Sequence, residues 1–457
     1  MAVPQDDSAA AVTEYAREHA EGRLRCGMAE GKGRVLLAAV PWEAGDVVLT
    51  EEPLHLVQEE PGKAAFQDLV AFCEAEELDE NPVWYWAALR SLTLEELGGV
   101  GLARWAPLGP ERQRRLRLLC SSGGKGHGCA VARRFAPRLP DPRGLDELVQ
   151  AWILNGFSFS DRPFGVALFF LASFCSHSCR PNACWHLDAD GRFVLRARRR
   201  IEAGEEVTIA YLDERALLDC AELRRAGLFT SKAFWCACER CCLPDACRGF
   251  SCPGCAVGLV LARPAGPAPG ARGLSHQPLV GATCGGCGRS VGPEEAQQLL
   301  CRELCVQGLL ARWEDAPPTQ EDAEQAAELL QGFAQHSLAE RAWQQLAWLH
   351  GERGRWGPQL ELLLASSRFC AAAYPGMSGA HAWALEAYAD GLAAAAQRGS
   401  GGAGGAGDVG PVLAQAACAY EQALEVLSAM FGGGFGYAGG VRTKLEYVGR
   451  LTDLVGA

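Results

Sequence analysis

The sequence has no long apolar run and no excess of positive charge. Its best apolar stretch, Gly165 to Cys175, is shorter than the roughly 18 residues that a membrane-spanning helix needs. The first segment, MAVPQDDSAA, has no basic residue and no apolar core, so we expect no secretory signal there. The formal net charge of −12 argues against a general nucleic-acid-coating protein, because that affinity comes from an excess of lysine and arginine.

Cysteine, by contrast, is abundant and clustered. The 457 residues include 21 cysteines, and 15 of them fall between Cys175 and Cys305. We do not expect a disulfide-bonded secreted fold without a secretory signal, and clustered cysteines in an intracellular chain more often bind zinc. Hydrophobic residues make up 49% of the chain and charged residues 21%, which excludes global disorder. The length suggests roughly two to four domains.

Apolar periodicity divides the chain into regions of different secondary structure. The runs 34–40 and 47–50 predict two strands of a hairpin, joined by the turn PWEAGD. Residues 61–150 carry helix-period apolar positions, and residues 151–213 read as short strands separated by Gly, Asp and Pro. Residues 236–290 are rich in cysteine and loops. From Pro293 onward, roughly six or seven helices are predicted, with an approximate resemblance to tetratricopeptide repeats.

The strongest chemical signal is a Cys-x-Cys-x-x-Cys motif at Cys236, Cys238 and Cys241. Two or three thiolates this close together can converge on one tetrahedral Zn²⁺, with a further ligand supplied from elsewhere in the chain. The alternative is three buried free thiols. Exposed thiols at this spacing would oxidise readily, which favours the zinc interpretation.

Two Cys-x-x-Cys motifs further along the chain predict a second zinc site. They are Cys252 to Cys255 and Cys284 to Cys287, with glycine placed for a tight turn in each. Such a pair resembles a zinc ribbon, which we interpret as structural. Cys242 and Cys247 are alternative ligands, and one motif could also be free of metal.

Four short motifs follow one another along the chain: GKGR at 31–34, SHSCRPN at 176–182, GEEVTIAY at 204–211 and FWCACERC at 234–241. Each motif alone is weak evidence. Their order, followed by a helical tail, resembles the SET-and-MYND (SMYD) family of SET-domain protein methyltransferases.

This resemblance implies transfer of a methyl group from S-adenosylmethionine to a lysine of a histone or non-histone protein. Tyr211 matches the catalytic tyrosine, and Phe157 matches the aromatic wall of the lysine channel. Cys179 matches the fourth ligand of the zinc site formed by Cys236, Cys238 and Cys241. The positions that match cofactor-binding residues are Lys32, Arg34, Asn155, Ser176, His177, Asn182, Tyr211 and Phe234.

The fold class implied by the resemblance is α+β. We expect a mostly-β SET core with a helical insert, a cysteine-rich zinc-binding region after the core, and an all-α, repeat-like C-terminal domain. The predicted boundaries are an N-terminal tail or weak helix at 1–20, the first part of the SET domain at 21–60, the insert at 61–150, the SET core at 151–235, the cysteine-rich region at 236–292 and the helical domain at 293–457.

The sequence departs from the family pattern in three places. Ser176 stands where the family has asparagine, so we expect weaker cofactor binding, and Val35 replaces the glycine after GKGR. Residues 55–150 contain three isolated cysteines, so we do not expect the zinc-binding MYND module there. These departures leave a second interpretation open, a catalytically degenerate SET scaffold that binds protein partners.

The expected partners follow from the same interpretation. They are a protein substrate that presents a lysine and a protein partner of the helical domain, with neither nucleic acid nor membrane bound directly. We expect a monomer in the cytoplasm, the nucleus or both.

Overall fold

The structure is a computed structural model, and it describes residues 7–97, 108–120, 126–255, 257–264, 266, 273–399 and 409–456. The chain divides into two compact units. The first unit comprises residues 1–176 and 185–209, and the second comprises residues 177–184 and 210–457. The chain therefore changes unit three times: within the SHSCRPN motif after Ser176, after Cys184, and after Ile209, just before Tyr211.

The first unit contains helices and short strands, with β7 and β8 at the points where the chain changes unit. The helices are α1 (Asp7–His19), α2 (Ala64–Ala75), α3 (Pro82–Arg90), α4 (Pro110–Arg117), α5 (His127–Phe135) and α6 (Arg143–Asn155). The strands are β1 (Leu24–Ala29), β2 (Gly33–Ala38), β3 (Val47–Glu51), β4 (His55–Gln58), β5 (Phe157–Asp161), β6 (Phe164–Leu168), β7 (Ser176–His177), β8 (Ala183–Leu187), β9 (Phe193–Ala197) and β10 (Thr208–Ile209).

The predicted hairpin between the strands at 34–40 and 47–50 is wrong, although both strands exist. β2 pairs instead with β1, and β3 pairs with β9, which comes about 150 residues later in the chain. Local apolar alternation identifies a strand but carries no information about a partner so distant in sequence. Val35, which stands where the family has glycine, is buried in β2. The β1–β2 pairing continues through it without a register shift.

The first part of the apolar run that begins at Gly165 lies in β6, the central strand of a three-stranded sheet. β6 lies between β4 and β5, and its residues from Gly165 to Leu168 are buried. A strand covered on both faces reads as a continuous apolar run rather than as alternation. This explains why the sequence shows so little polar content here.

The region predicted as a helical insert, 61–150, contains α2 to α6 in its described part, and α6 continues to Asn155. Asn81 caps α3 by accepting a hydrogen bond from the Val83 N–H, and Pro82 stands in the first turn, where no backbone donor is needed. Trp152 of α6 donates its indole N–H to Ser91 Oγ at 2.9 Å. At the N-terminus, the open choice between tail and weak helix is resolved as α1, which buries Val12 and Ala16.

The second unit is mostly helical, and it begins with the cysteine-rich region. Its described helices are α7 (Ala221–Lys232), α8 (Glu239–Cys242), α9 (Pro293–Asp315), α10 (Gln320–Leu329), α11 (Ser337–Glu352), α12 (Trp356–Ala373), α13 (Gly379–Gly399), α14 (Gly410–Phe431) and α15 (Gly436–Gly456). Its remaining strands are β11 (Asp245–Ser251), β12 (Leu259–Ala262) and β13 (Phe333–His336).

The helical region predicted from Pro293 contains one strand, which is a correction to the all-α expectation. β13 joins β11 and β12 in a sheet of order β12–β11–β13. Arg248 belongs to β11, and its buried guanidinium donates to both carboxylate oxygens of Glu303 at 2.7 and 2.6 Å. His336 of β13 lies 2.9 Å from the same carboxylate. The pairing of buried charges ties the cysteine-rich region to α9, across the predicted boundary at 292.

The C-terminal helices pack through small and apolar side chains. α13, α14 and α15 share a buried core that includes Ala389, Ala416, Leu427, Met430 and Val441. Alanine allows close helix approach, which accounts for the Ala-rich character of this region. None of the helices described by the structure combines the length and the apolar character required to traverse a bilayer.

Candidate active site and metal centres

The four cysteines predicted for the first zinc site come together in the second unit. Cys179 reaches the three cysteines beside α8, and all four Sγ atoms lie within 4.8 Å of one another. Cys179 Sγ is 3.9 Å from Cys236 Sγ and 3.6 Å from Cys241 Sγ. Zn–S bonds of about 2.3 Å in a tetrahedron place sulfur atoms about 3.8 Å apart, so the cluster fits Zn²⁺.

Protons are shared unevenly among these four thiols. Hydrogen bonding with Cys179 lowers the pKa of Cys241 to about 6 and also lowers the pKa of Cys238. The pKa of Cys179 is raised by its hydrogen bonds with Cys236 and the other two thiols. Two of the four groups therefore favour the thiolate form, which is the form that binds metal.

His177 connects this cluster to Tyr211. The backbone N–H of Tyr211 donates to His177 Nδ1 at 3.0 Å, so Nδ1 carries no proton. The ring proton of the neutral imidazole is then on Nε2, which lies 3.3 Å from Cys179 Sγ. The histidine is buried, and both of its nitrogens are used to fix position. His177 thereby links the position of Cys179 in the cysteine cluster to the position of the Tyr211 backbone.

The aromatic rings of His177, Tyr211 and Phe234 pack against one another. The ring of Tyr211 lies 5.4 Å from that of His177 and 6.2 Å from that of Phe234, at 89° to the latter. The rings of His177 and Phe234 are 5.9 Å apart. Tyr211 is 37% exposed although it belongs to this packed group. An aromatic ring held by two others but still open to solvent is suited to contact a ligand.

Arginine side chains surround the cluster, and sequence reasoning missed them. The Arg224 guanidinium is buried and lies 3.7 Å from Cys241 Sγ. Arg240 donates to the Cys179 carbonyl at 3.0 Å, and Arg225 donates to the Cys236 carbonyl at 2.8 Å. Four thiolates leave negative charge on a zinc site, and these cations offset it. Arg240 lies inside the cysteine motif, but Arg224 and Arg225 belong to the separate helix α7 and carried no local signal.

The second predicted cluster is also assembled. Cys252, Cys255, Cys284 and Cys287 have their Sγ atoms within 4.8 Å of one another. The backbone N–H groups of Cys287 and Gly286 donate to Cys284 Sγ and lower its pKa to about 6. A side chain at Gly258 would overlap Cys284 Sγ, so glycine is needed at that position.

The alternative ligands for this second site are not part of it. Cys242 is exposed and Cys247 is buried elsewhere, and neither belongs to the two groups that the described residues form. The donor set of each group is therefore four cysteines. Four sulfur ligands at tetrahedral spacing fit zinc better than the oxygen-preferring cations.

Metal analysis of the purified chain is expected to give two zinc ions per molecule, one for each group of four cysteines. Cys255→Ser should reduce the content to one, because a three-thiolate remnant binds more weakly. Cys301→Ser is the matched control, since Cys301 is exposed and outside both groups. Plasma mass spectrometry checks the count, and one zinc in the unmodified chain would contradict the second site.

In the first unit, Lys32 and Ser176 come together on one carboxylate. Lys32 Nζ lies 2.9 and 2.8 Å from the two carboxylate oxygens of Glu206, and the Ser176 hydroxyl also donates to that carboxylate. Glu206 is the second glutamate of the GEEVTIAY motif, so the motif contained a signal for it that we did not use.

The glycine turn that carries Lys32 is open to solvent. Gly31 and Gly33 have φ of 73° and 77°, and a Cβ at either would meet nothing within 4 Å. Their conformation therefore requires glycine, whereas packing does not. Arg34 follows the turn, with its guanidinium 5.2 Å from the ring centroid of Phe174.

Asn155 and Phe157 lie on other elements of the first unit. Asn155 ends α6 and donates its side-chain N–H to the Ala151 carbonyl at 2.9 Å. Phe157 begins β5 and packs edge-on against Trp185 and Phe193, with ring centroids 5.0 and 5.1 Å away. Asn182 is buried in the second unit. The roles given to these residues by family resemblance stay predictions.

Comparison with known families decides the nature of the domain that holds these residues. Residues 33–212 match the model of the SET domain, and they include most of the positions described above. The chain contains a SET domain. The match begins at the glycine turn and ends just after Tyr211, so all three cysteine motifs, at 236–241, 252–255 and 284–287, lie beyond it.

The curated relatives of this SET-domain chain include SMYD proteins. It is 39% identical over 113 residues to the mouse protein named histone-lysine N-methyltransferase SMYD3, and 32% identical over 171 residues to the chicken protein named protein-lysine N-trimethyltransferase SMYD5. These alignments cover 24% and 34% of this chain. The chain spans 26% of the length of that SMYD3 protein and 39% of that SMYD5 protein.

A solved structure described as the SET domain of LSMT bound to lysine and AdoHcy also matches. It is 14% identical, with a TM-score of 0.30, over 80% of this chain and 92% of that chain. A TM-score this low does not establish a shared fold over the whole length.

Proposed function

We propose that this SET-domain chain is an S-adenosylmethionine-dependent protein-lysine N-methyltransferase. The observation that carries the proposal is the placement of Tyr211 at the end of the SET segment. The Tyr211 ring packs against the rings of His177 and Phe234 but is partly exposed. Its backbone N–H donates a hydrogen bond to His177, whose other ring nitrogen contacts Cys179 of the first cysteine cluster. The names of the SMYD3 and SMYD5 relatives, which describe lysine methylation, support the same activity.

The residues present suit the proposed cofactor. Its amino-acid part carries both an ammonium and a carboxylate, and the ion pair of Lys32 and Glu206 offers a partner for each. Phe234 presents an aromatic ring suited to stack on a nucleobase. The residues proposed to hold the cofactor are Lys32, Arg34, Asn155, Ser176, His177, Asn182, Tyr211 and Phe234. When bound, the cofactor would supply a methyl group on a sulfonium sulfur.

The chemistry needs positioning more than a strong base. A lysine amine must be neutral to accept a methyl group, and an apolar aromatic environment favours the neutral form. In the proposal, Phe157 and Phe234 exclude water, and the Tyr211 hydroxyl orients the incoming amine. The rate then comes mainly from alignment of the reacting atoms. A site of tyrosine and phenylalanine without a charged dyad is consistent with that requirement.

The substrate that we propose is a lysine on a histone or another protein, in the nucleus or the cytoplasm. The proposed post-core zinc site would hold Phe234 and Tyr211 in place through Cys236 and His177. Ser176 is the main reason to keep the degenerate scaffold as the alternative, because its short side chain is engaged by Glu206.

Methyl transfer from labelled S-adenosylmethionine is expected in a proteome extract or in purified histones. Label should appear in a discrete protein band and in lysine after hydrolysis. The measurement is fluorography followed by amino-acid analysis. Binding of S-adenosylmethionine without any transfer, in folded and zinc-loaded protein, would contradict the enzyme and favour the degenerate scaffold.

A further inference from the structure

Lysine is scarce in this chain, and the lysines that the structure describes differ sharply in their surroundings. The sequence has five, at positions 32, 63, 125, 232 and 444, and Lys125 lies outside the described residues. Lys32 pairs with Glu206, Lys63 with Glu60, and Lys444 with Glu386 and Asp390, at 2.5 to 2.8 Å. The side chain of each of these three lysines is at least 40% exposed.

Lys232 lies beside the proposed catalytic tyrosine. It is the last residue of α7, and its Nζ lies 5.8 Å from the ring centroid of Tyr211. The next residue, Ala233, has φ of 57°, which turns the chain so that Phe234 packs against the same ring. The turn thus presents the Lys232 amine and the Phe234 ring to one tyrosine.

Burial changes the chemistry of this amine. Desolvation lowers the pKa of Lys232 to about 8. At pH 7 roughly a tenth of its amines are then neutral, against roughly one in 2,500 for an ordinary lysine with pKa near 10.4. Lys444 shows the opposite outcome, because hydrogen bonds to Asp390 and Glu386 outweigh its burial and raise its pKa. Lys232 is therefore the better nucleophile of the two near neutral pH.

We propose that Lys232 is a methyl acceptor for the chain's own site, so that the protein methylates itself there. The inference rests on the proposed function. The Lys232 Nζ lone pair attacks the sulfonium methyl carbon, and the N–C bond forms as the S–C bond breaks. The bonding electrons stay on sulfur, which leaves as neutral S-adenosylhomocysteine, and the amine proton passes to solvent. The modification would place a methylated lysine beside Tyr211, where a target lysine must also arrive.

The first test is mass spectrometry of the full chain after incubation with S-adenosylmethionine and purified histones in one tube. Cleavage after arginine releases residues 226–240, a peptide whose single lysine is Lys232. We expect a mass increase of one methyl group or more on this peptide. The modified fraction should not change with dilution of the protein, because the acceptor belongs to the same chain, and Tyr211→Phe should lower it at least about tenfold.

Matched variants separate the outcomes. Lys232→Arg should remove the modification, whereas Lys63→Arg should leave it, because Lys63 lies in the first unit in an ion pair with Glu60. Methylated histone with an unmodified 226–240 peptide would overturn self-methylation and leave the proposed function standing. Folded, zinc-loaded protein that methylates neither acceptor would overturn both.

A second measurement does not depend on catalysis. The rate at which a small amine-reactive acylating reagent labels each lysine, followed against pH by the same peptide analysis, reports each amine's pKa. Lys232 should reach half of its maximal rate near pH 8, and Lys444 should do so only above the ordinary lysine range. A Lys232 midpoint at or above that range would overturn the proposal, because the amine would then be protonated like any other.

Discussion

Tyr211→Phe is expected to reduce methyl transfer by about 100-fold or more, because it removes the hydroxyl that orients the lysine amine. The fold should be unaffected. The hydrogen bond from Tyr211 to His177 uses the backbone N–H, and phenylalanine keeps the ring contacts with His177 and Phe234. Single-turnover transfer from labelled S-adenosylmethionine measures the chemical step directly.

Tyr437→Phe is the matched control for this prediction. Tyr437 lies on α15 and is 50% exposed, so loss of its hydroxyl should leave transfer unchanged. The melting temperature and zinc content of both variants should equal those of the unmodified chain. Full activity in Tyr211→Phe would contradict the role assigned to the hydroxyl, and a lowered melting temperature would show that the loss was structural.

Cys238→Ser is expected to destabilise the second unit and to abolish binding of S-adenosylmethionine as well as transfer. Structural zinc contributes about 10–16 kcal/mol of apparent binding free energy, and a missing thiolate forfeits much of it. We expect the free energy of unfolding to fall by roughly 4 kcal/mol or more. The loss should reach the active site because Cys179 contacts His177, and His177 holds the backbone of Tyr211.

Cys242→Ser is the control, since Cys242 is exposed, one residue from the ligand Cys241 and outside the cluster. Calorimetric unfolding and isothermal titration with S-adenosylmethionine measure the two effects in both variants. A strong chelator should reproduce the Cys238→Ser result in the unmodified chain. Unimpaired cofactor binding after zinc removal would show that the cluster does not support the site.

Buried arginines in the same region make the cluster sensitive to changes beyond its ligands. The Arg224 guanidinium lies against Cys241 Sγ, and the Arg240 guanidinium donates a hydrogen bond to the Cys179 carbonyl. Removing a buried cation leaves the thiolate charge uncompensated. The stability of the metal centre therefore depends on α7, the same helix that presents Lys232 at its end.

The sequence alone was sufficient for the parts of the protein that depend on local spacing. The two cysteine groups, the helical insert and the SET-type motif order were all predicted from residues close together in the chain. Metal ligands and amphipathic helices are specified by short patterns, because the geometry that they need spans only a few residues. The exception is Cys179, which came from family resemblance and which the structure places with its three partners.

Only the tertiary structure decided which distant residues meet. The pairing of β3 with β9, the joining of β13 to the cysteine-rich sheet, and the contact of Lys32 and Ser176 on Glu206 link segments far apart in sequence. The proton position on His177 and the low pKa of Lys232 likewise depend on neighbours and burial that no local pattern encodes. Residue type and spacing specify what a side chain can do, whereas burial and partners, which arise only when the chain is packed, determine its charge and reactivity.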